Sequence, residues 1–490
     1  MSDFLAQLSA VPSRQYTLGT VSDEIYDRQL RDLKACFGQP AFVPGSVNLT
    51  ECLEAISPSI HSLSFLCLLR LEIQQTQKRT QCDIPEGLEP GGNLWKHAIR
   101  FLRSFDPIQI RYAGYEWREL VELVASAAQA TSKPILAVKA IRDALDRLDT
   151  SGIFTSTHLI LVKLTLHSAS YTSALPILDR FLSHFPPDTH HTHHEFPLCS
   201  ECTPATAFIT DVPGISSKLT YRDHLRFFLY SAMIYMALKR WDQASHCLSI
   251  VVASPTANSV SKIMVDAYKK WILANLLGHG KVPAASKMIG PHVIRVLHSL
   301  ARPYISLAEA FGKGDLRRMG AEIEIGQSVW KADKNTGLVS QLFDAHDKFA
   351  IIKLGKTFSA LTVVDVLQRA PSCSRDHFVI EEFVASMVMS NALRASLSHS
   401  PGGQSVTMLR LSPTAQCHAF REEYIRTKLI KGRIALNTIA KHIAQTDEAL
   451  ELSPENLHFI AKSQKWSGNS EKNGTAGAAE IDEDLMGDGQ

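Results

Sequence analysis

The sequence predicts a mostly α-helical protein. Stacked helical repeats form a solenoid, which leads into a small domain with a β-hairpin, a long C-terminal helix and a disordered tail. Apolar residues recur at steps of three and four along most of the chain, which is the spacing of one helix face. Alternating runs typical of strands are scarce over the first 350 residues. Residues 464–490 are rich in glycine, alanine and acids and have no apolar face, which predicts disorder.

Composition excludes several classes of protein. The 490 residues are 45% hydrophobic and 20% charged, with a formal net charge of +2, which is too apolar for a disordered chain. A pI near 8.0 does not favour a strongly basic nucleic-acid binder. The longest apolar run, residues 227–238, has 12 residues and is interrupted by Ser231, so it is shorter than the ~20 residues of a membrane helix.

The cysteines and the N-terminus indicate a cellular compartment. The nine cysteines are odd in number and most lie within apolar helical patterns, which predicts reduced thiols in a protein core. Residues 1–15 include an early acid and no sustained apolar stretch, so we expect no secretory signal. These features predict a cytoplasmic and nuclear protein.

Three helical segments share one spacing and look like copies of a repeat. A small residue is followed by two others at steps of four and three, in the sets Ala137, Ile141 and Ala144; Ala174, Leu178 and Phe181; and Ala244, Leu248 and Val251. An aromatic residue precedes the second and third alanines, as in the second helix of a tetratricopeptide-type hairpin. Packed helices of any kind also show such spacing, so both interpretations stay open here.

Composition shifts divide the chain into predicted regions. N-terminal helical repeats span 1–220 and include a His-rich insertion near 186–214. A second region at 221–412 combines helical repeats with a winged helix at 350–412. C-terminal helices for bundle assembly follow at 413–463, and a disordered acidic tail at 464–490.

The winged helix is predicted from the order of its elements. Two short helical patterns precede an amphipathic helix at 376–391, and two strands then flank a Pro-Gly-Gly turn. The third helix contains acids and no Lys or Arg, which favours protein docking over DNA binding. We expect the last strand to be an edge strand that accepts a neighbouring protein, with Val406, Met408 and Leu409 at that interface.

The long helix, from about 413 to 450, carries two apolar faces. Its first seam, predicted to be an interface, is formed by Ile425, Leu429, Leu436, Ile439 and Ile443. Phe420, Tyr424, Ile430 and Ile434 lie largely on a second face. Two faces predict burial among several helices, as in a bundle. The alternative is one helix folded back on the winged helix.

Residues that could carry chemistry form only weak patterns. His191, His193, Cys199 and Cys202 could bind zinc, but a single C-x-x-C in a Pro/Thr-rich insertion is weak support, and we expect a solvated loop. The His-x-His lacks the serine and aspartate spacing of a JAMM metalloprotease. Residues 355–357 (Gly-Lys-Thr) resemble the end of a phosphate loop, but the required upstream glycine is Ala350. We therefore predict no catalytic residue, no metal site, no cofactor and no enzyme activity.

Several stretches resemble the PCI family, named after the proteasome lid, the COP9 signalosome and translation initiation factor 3. Within it they are most similar to the subunit 3 family of the signalosome. The residues that carry the resemblance are SVSKIMVDAYKKWILANLLGHGKV at 259–282, IRYAGYEWREL at 110–120, YSAMIYMALKRWDQA at 230–244, KNTGLVSQL and LGKTFSALTVVDVLQRA between 334 and 370, and SPENLHFIAKS near 453–463.

The resemblance implies a non-catalytic scaffold subunit of the signalosome, the complex that deneddylates cullin-RING ubiquitin ligases. It places a PCI domain at 221–412 and implies that winged helices add edge to edge while C-terminal helices gather in a bundle. The implied partners are other PCI and MPN subunits and, indirectly, cullin-RING ligases, with no nucleic acid and no membrane. The alternative is a PCI scaffold subunit of the proteasome lid or of initiation factor 3.

Overall fold

The computed structural model describes most of the chain, with gaps. The described residues are 2–13, 22–39, 48–82, 84–85, 87–148, 152–180, 182, 185–186, 197–200, 205–210, 214–255, 260–284, 289–369, 377–390, 392–398, 407–411, 418–451 and 456–462. His191, His193, Cys202, Val406 and the predicted tail at 464–490 lie outside them, as do the side chains of Phe420 and Tyr424.

The chain divides into two compact units. The first comprises Met1–Leu354 and Ala370–Ser374, and the second comprises Gly355–Arg369 and Arg375–Gln490. The regions predicted from composition use other boundaries, and they stay a prediction.

The first unit is built of helices. In chain order they are α1 Ser2–Leu8, α2 Asp23–Phe37, α3 Leu49–Ala55, α4 Ser62–Thr80, α5 Asn93–Ser104, α6 Pro107–Ile110, α7 Gly114–Ala130, α8 Ile135–Leu148, α9 Ser156–His167, a 3₁₀ turn at Tyr171–Ala174, α10 Leu175–Leu178, α11 Ala205–Phe208, α12 Tyr221–Ala237, α13 Trp241–Ala253, α14 Lys262–His279, α15 Pro291–Leu300, α16 Arg302–Lys313, α17 Leu316–Ile325, α18 Gln327–Ala332, α19 Thr336–Val339 and α20 Leu342–Thr357, which continues past the boundary. The predicted helical fold class is confirmed.

Small residues let neighbouring helices pack closely, as the repeat pattern predicts. Ala137 in α8 and Ala244 in α13 are completely buried, and each lies in a regular helix. The second predicted copy is wrong as a continuous helix. Around Ala174 the chain forms only a 3₁₀ turn and the four-residue α10, because Pro176 cannot donate the backbone hydrogen bond that a longer helix needs there.

Helix α14 lies within the core of the first unit and corresponds to the most distinctive stretch of the sequence. The Ser261 side chain accepts a hydrogen bond from the Met264 amide at its N-terminus, and Gly280 ends it with a φ of 70°. The two lysines in the middle of this helix, Lys269 and Lys270, do not extend freely into solvent. Lys270 is buried and forms an ion pair with Asp266. Lys269 forms an ion pair with Asp333, the residue directly after α18, at a nitrogen–oxygen distance of 2.8 Å.

Gly278 of α14 packs directly against Trp241, the first residue of α13. A Cβ atom at this position would lie 2.4 Å from the Cβ of Trp241, which no real contact permits. We expect Gly278→Ala to lower the free energy of unfolding by roughly 1–3 kcal/mol, because the two helices must separate. Urea denaturation of the full chain measures this.

Gly320 in α17 provides a matched control, because a Cβ there meets nothing within 4 Å. Gly320→Ala should leave stability unchanged or raise it by roughly 0.5–1 kcal/mol, since alanine favours the helix. Equal effects of the two substitutions would contradict the close approach at Gly278.

Buried thiols belong to the core of the first unit. Burial raises the pKa of Cys67 to about 12 and, likewise, that of Cys247 to about 12, so both stay protonated and unreactive at neutral pH. Neither cysteine forms a disulfide.

Among the described residues, no helix combines the length and the apolar character required to cross a membrane.

The second unit combines short strands with helices. Its elements are β1 Ala360–Thr362, α21 Val363–Arg369, α22 His377–Met389, β2 Ala395–Ser398, β3 Met408–Leu411, α23 His418–Glu451 and a helix, α24, at 456–462. Helices α21 and α22 contact each other, α21 contacts β1 and α22 contacts β2. The order includes the predicted helices and hairpin, together with a first strand that was not predicted.

Candidate interaction surfaces

The small sheet of the second unit has the order β1-β3-β2, with both pairings antiparallel. The expectation that β3 is an edge strand is therefore wrong. The three-residue β1 is too short to show an alternating pattern in the sequence, and it covers one side of β3. Among the described strands, nothing pairs with the outer edge of β2.

Hydrogen bonds show which backbone groups of β2 face outward. The Leu411 amide donates to the Ser359 carbonyl at 2.8 Å, so odd-numbered residues of β3 bond toward β1. Arg410 and Met408 then bond toward β2, where they lie opposite Ser396 and Ser398. The N–H and C=O of Leu397 consequently point to the open edge.

The predicted interface residues of β3 lie in different surroundings. Leu409 is completely buried and fills the core of the unit, whereas Met408 is 38% exposed. Thr407, just before the strand, donates a hydrogen bond of 2.9 Å from its hydroxyl to Glu381 of α22. Of these side chains, only Met408 is available to a partner.

Helix α22 is the third helix of the predicted winged helix. Its sequence contains Glu381 and Glu382 and no Lys or Arg. The carboxylates would repel a nucleic-acid backbone, so this face favours a protein partner. Met389 at its end is almost fully exposed.

Helix α23 carries the largest set of exposed apolar side chains in the described structure. Its 34 residues correspond to a length of about 51 Å. Every residue of the predicted seam is at least 40% exposed: Ile425, Leu429, Leu436, Ile439 and Ile443. Ile430 and Ile434 on the second face are also exposed. Such a helix gains little stability from its own chain, because most helical stability comes from burying an apolar face.

A second exposed apolar group follows in α24. Leu457, Phe459 and Ile460 are all exposed within seven helical residues. Sequence reasoning did not assign this group, although the three-residue step from Leu457 to Ile460 is a helical signal. Together with α23, it makes the C-terminal region the main apolar surface of the second unit.

One of the four zinc candidates lies within the described residues. Cys199 is buried, and its thiol donates to the Asp23 carbonyl at a sulfur–oxygen distance of 3.2 Å. The other three zinc candidates lie outside the described residues. No group of three or more His, Cys, Asp or Glu side chains within the described ranges could hold a metal ion. Residues 355–357 end helix α20, as predicted, and form no phosphate loop.

Comparisons with known proteins agree with this architecture. The family model described as COP9 signalosome complex subunit 3, N-terminal helical repeats, matches residues 41–294. COP9 signalosome complex subunit 3 of Emericella nidulans is 60% identical over 496 aligned positions, which cover 100% of both chains. The chain belongs to the COP9 signalosome subunit 3 family.

More distant members of the subunit 3 family have similar extents. The Neurospora crassa protein is 26% identical and aligned over 89% of each chain. The Dictyostelium discoideum protein is 24% identical over 73% of this chain and 76% of its own length. The family model ends at residue 294, so α23 and the sheet lie outside it but within the full-length Emericella match.

Proposed function

We propose that this subunit 3 family member is a non-catalytic scaffold of the COP9 signalosome, the complex that deneddylates cullin-RING ubiquitin ligases. The observation that carries the proposal is the exposed apolar seam of α23. Burying five Leu and Ile side chains would stabilise an assembly by roughly 1.5–3 kcal/mol for each side chain fully covered. Its occupants would be the C-terminal helices of other signalosome subunits.

The proposal assigns a second contact to the sheet. The region at 221–412 would act as a PCI domain, and its winged helix would add to the winged helix of a neighbouring PCI subunit through the open edge of β2. PCI and MPN subunits are the proposed direct partners, and cullin-RING ligases the indirect ones. We assign isopeptidase chemistry to another subunit, because the His-x-His at 191–193 lacks the metalloprotease spacing.

We further propose that this scaffold acts in the cytoplasm and the nucleus. Buried protonated thiols such as Cys67 suit a reducing compartment. Fractionation of cells that express the chain with a fluorescent tag tests this proposal.

Affinity purification of the full chain from its own cells tests the scaffold function. We expect mass spectrometry to find the other signalosome subunits in near-stoichiometric amounts. Recovery of proteasome-lid or initiation-factor subunits instead would overturn the proposal.

The edge of β2 is tested by Leu397→Pro. This change removes an outward N–H while keeping the bonds of Ser396 and Ser398 to β3, so the sheet should persist. A neighbour that adds to this edge should bind at least about fivefold more weakly. Quantitative mass spectrometry of co-purified subunits measures the loss.

Leu397→Ala is the matched control, because it shortens the side chain but keeps the N–H. It should retain the neighbouring PCI subunits. If both variants lose partners equally, the side chain is what binds. If neither does, the edge is not used.

A further inference from the structure

A basic groove on the first unit has no role in the scaffold function proposed above. It has a volume of about 680 Å³ and lies between helix α5 and the connection from α3 to α4. Trp95, Ile99 and Pro58 form its apolar part. Lys96, Arg100 and Arg103 line it, together with Ser57, Ser59 and Ser104.

The cations of the groove repel one another. Lys96, Arg100 and Arg103 follow at steps of four and three, so they share one face of α5. The helix contains no acidic residue, and no ion pair joins these three side chains to a carboxylate within the described part of the chain. Elsewhere in the first unit, Arg31, Arg70 and Arg142 do pair with carboxylates. An anion in this groove would relieve the repulsion.

The connection from α3 to α4 contributes the hydroxyl of Ser57 to the groove. Ser57 precedes Pro58, which disfavours the helical region for Ser57, and Ile56 before it is extended with φ −93° and ψ 134°. Ser57 is half-buried, and its Oγ lies 3.0 Å from the Oγ of the exposed Ser59. A serine directly before a proline is the sequence pattern of a proline-directed kinase substrate, and here the Ser57 carbonyl accepts the Ile60 and His61 amides of the turn that follows.

Two hydrogen bonds hold this segment near the end of α5. The Ser62 hydroxyl donates to the Pro58 carbonyl at 2.7 Å and accepts from the Asp106 amide, also at 2.7 Å. Asp106 is two residues beyond Ser104, the last residue of α5. The Ser57 side chain and the arginines line this one groove.

We propose that Ser57 is a phosphorylation site and that Arg100 and Arg103 bind its phosphate. In the modification, the bond between the γ-phosphorus of ATP and the β–γ bridging oxygen breaks, and a bond from that phosphorus to Ser57 Oγ forms. ADP leaves, and the hydroxyl proton passes through the kinase to solvent. The product carries about two negative charges at neutral pH, and guanidinium groups bind such phosphates in a bidentate manner. Phosphorylation would fasten the α3–α4 connection to α5.

Hydrogen–deuterium exchange of the full chain tests the proposal. Phosphoserine is placed at position 57 during translation by suppression of an amber codon. We expect exchange in residues 56–61 to slow roughly fivefold relative to the unmodified chain. The slowing should be absent in R100Q/R103Q and should weaken between 0.15 and about 0.5 M salt. Phosphoserine at the exposed Ser126 of α7 is the control for added charge and should leave 56–61 unchanged.

Unchanged exchange at 56–61, or equal slowing in R100Q/R103Q, would overturn the assigned phosphate pocket. Incubation with a proline-directed kinase and ATP tests the modification itself, with Ser57→Ala as control. Mass spectrometry should find phosphate on Ser57 of the wild-type chain. A peptide at 56–61 that stays unmodified would overturn Ser57 as the site. Neither result depends on incorporation into the signalosome.

Discussion

Replacing Ile439 and Ile443 by aspartate is expected to remove the chain from the signalosome without unfolding it. In the chain by itself these side chains are 40% and 55% exposed, so the charges remain solvated. In a helix bundle the same positions would be buried, and an unpaired carboxylate there costs several kcal/mol. The free-energy cost of burying two such charges exceeds the binding free energy that one helix interface of this kind provides. We therefore expect incorporation to fall by at least about 100-fold.

Two measurements on the Ile439→Asp, Ile443→Asp variant separate assembly from folding. Affinity purification followed by mass spectrometry should find the other subunits strongly depleted, while circular dichroism keeps the wild-type helical signal. The matched control is Asn437→Asp with Lys441→Asp, which places two acids at exposed polar positions on the same stretch of α23. Normal assembly of the isoleucine variant, or its outright unfolding, would show that the seam does not serve assembly.

The sequence was sufficient for features that depend on local periodicity. Steps of three and four residues predicted α8 and α13, because a helix in a packed layer must repeat its apolar residues at that spacing. The same rule predicted α23 and its seam. The absence of a glycine at residue 350 argued against a phosphate loop at residues 355–357, and these residues are the last of helix α20.

Features that depend on contacts between distant residues could not be predicted in this way. The three residues of β1 carry no periodic signal, yet they pair with β3, with Thr362 opposite Met408, and make β3 a central strand. Lys270 pairs with Asp266, four residues earlier on the same helix, whereas helical spacing gives no sign of the partner of Lys269. The partner of Lys269 is Asp333, 64 residues further along.

That distant carboxylate belongs to a network of four polar side chains in the first unit. Asp333 accepts hydrogen bonds from Lys269 Nζ at 2.8 and 3.0 Å and from the Tyr304 hydroxyl at 2.8 Å. Asn335 donates to the same hydroxyl at 2.8 Å. Tyr304 is completely buried, and burial together with the neighbouring Asp333 carboxylate raises its pKa above the ordinary range. The network connects α14, α16 and the turn after α18.

Asp333→Ala is expected to lower the free energy of unfolding by about 3 kcal/mol, because it leaves the ammonium of Lys269, only 15% exposed, without its anion. Adding Lys269→Met should recover part of this loss by removing the unpaired charge, whereas Asp333→Asn should cost less than Asp333→Ala because it keeps an acceptor. Urea denaturation followed by tryptophan fluorescence measures all three. Asp242→Ala is the control: its contact with His279 is on the surface, with Asp242 85% exposed, and its loss should change stability by less than about 0.5 kcal/mol. Equal losses for Asp333→Ala and Asp242→Ala would show that the buried network contributes no more than a surface pair.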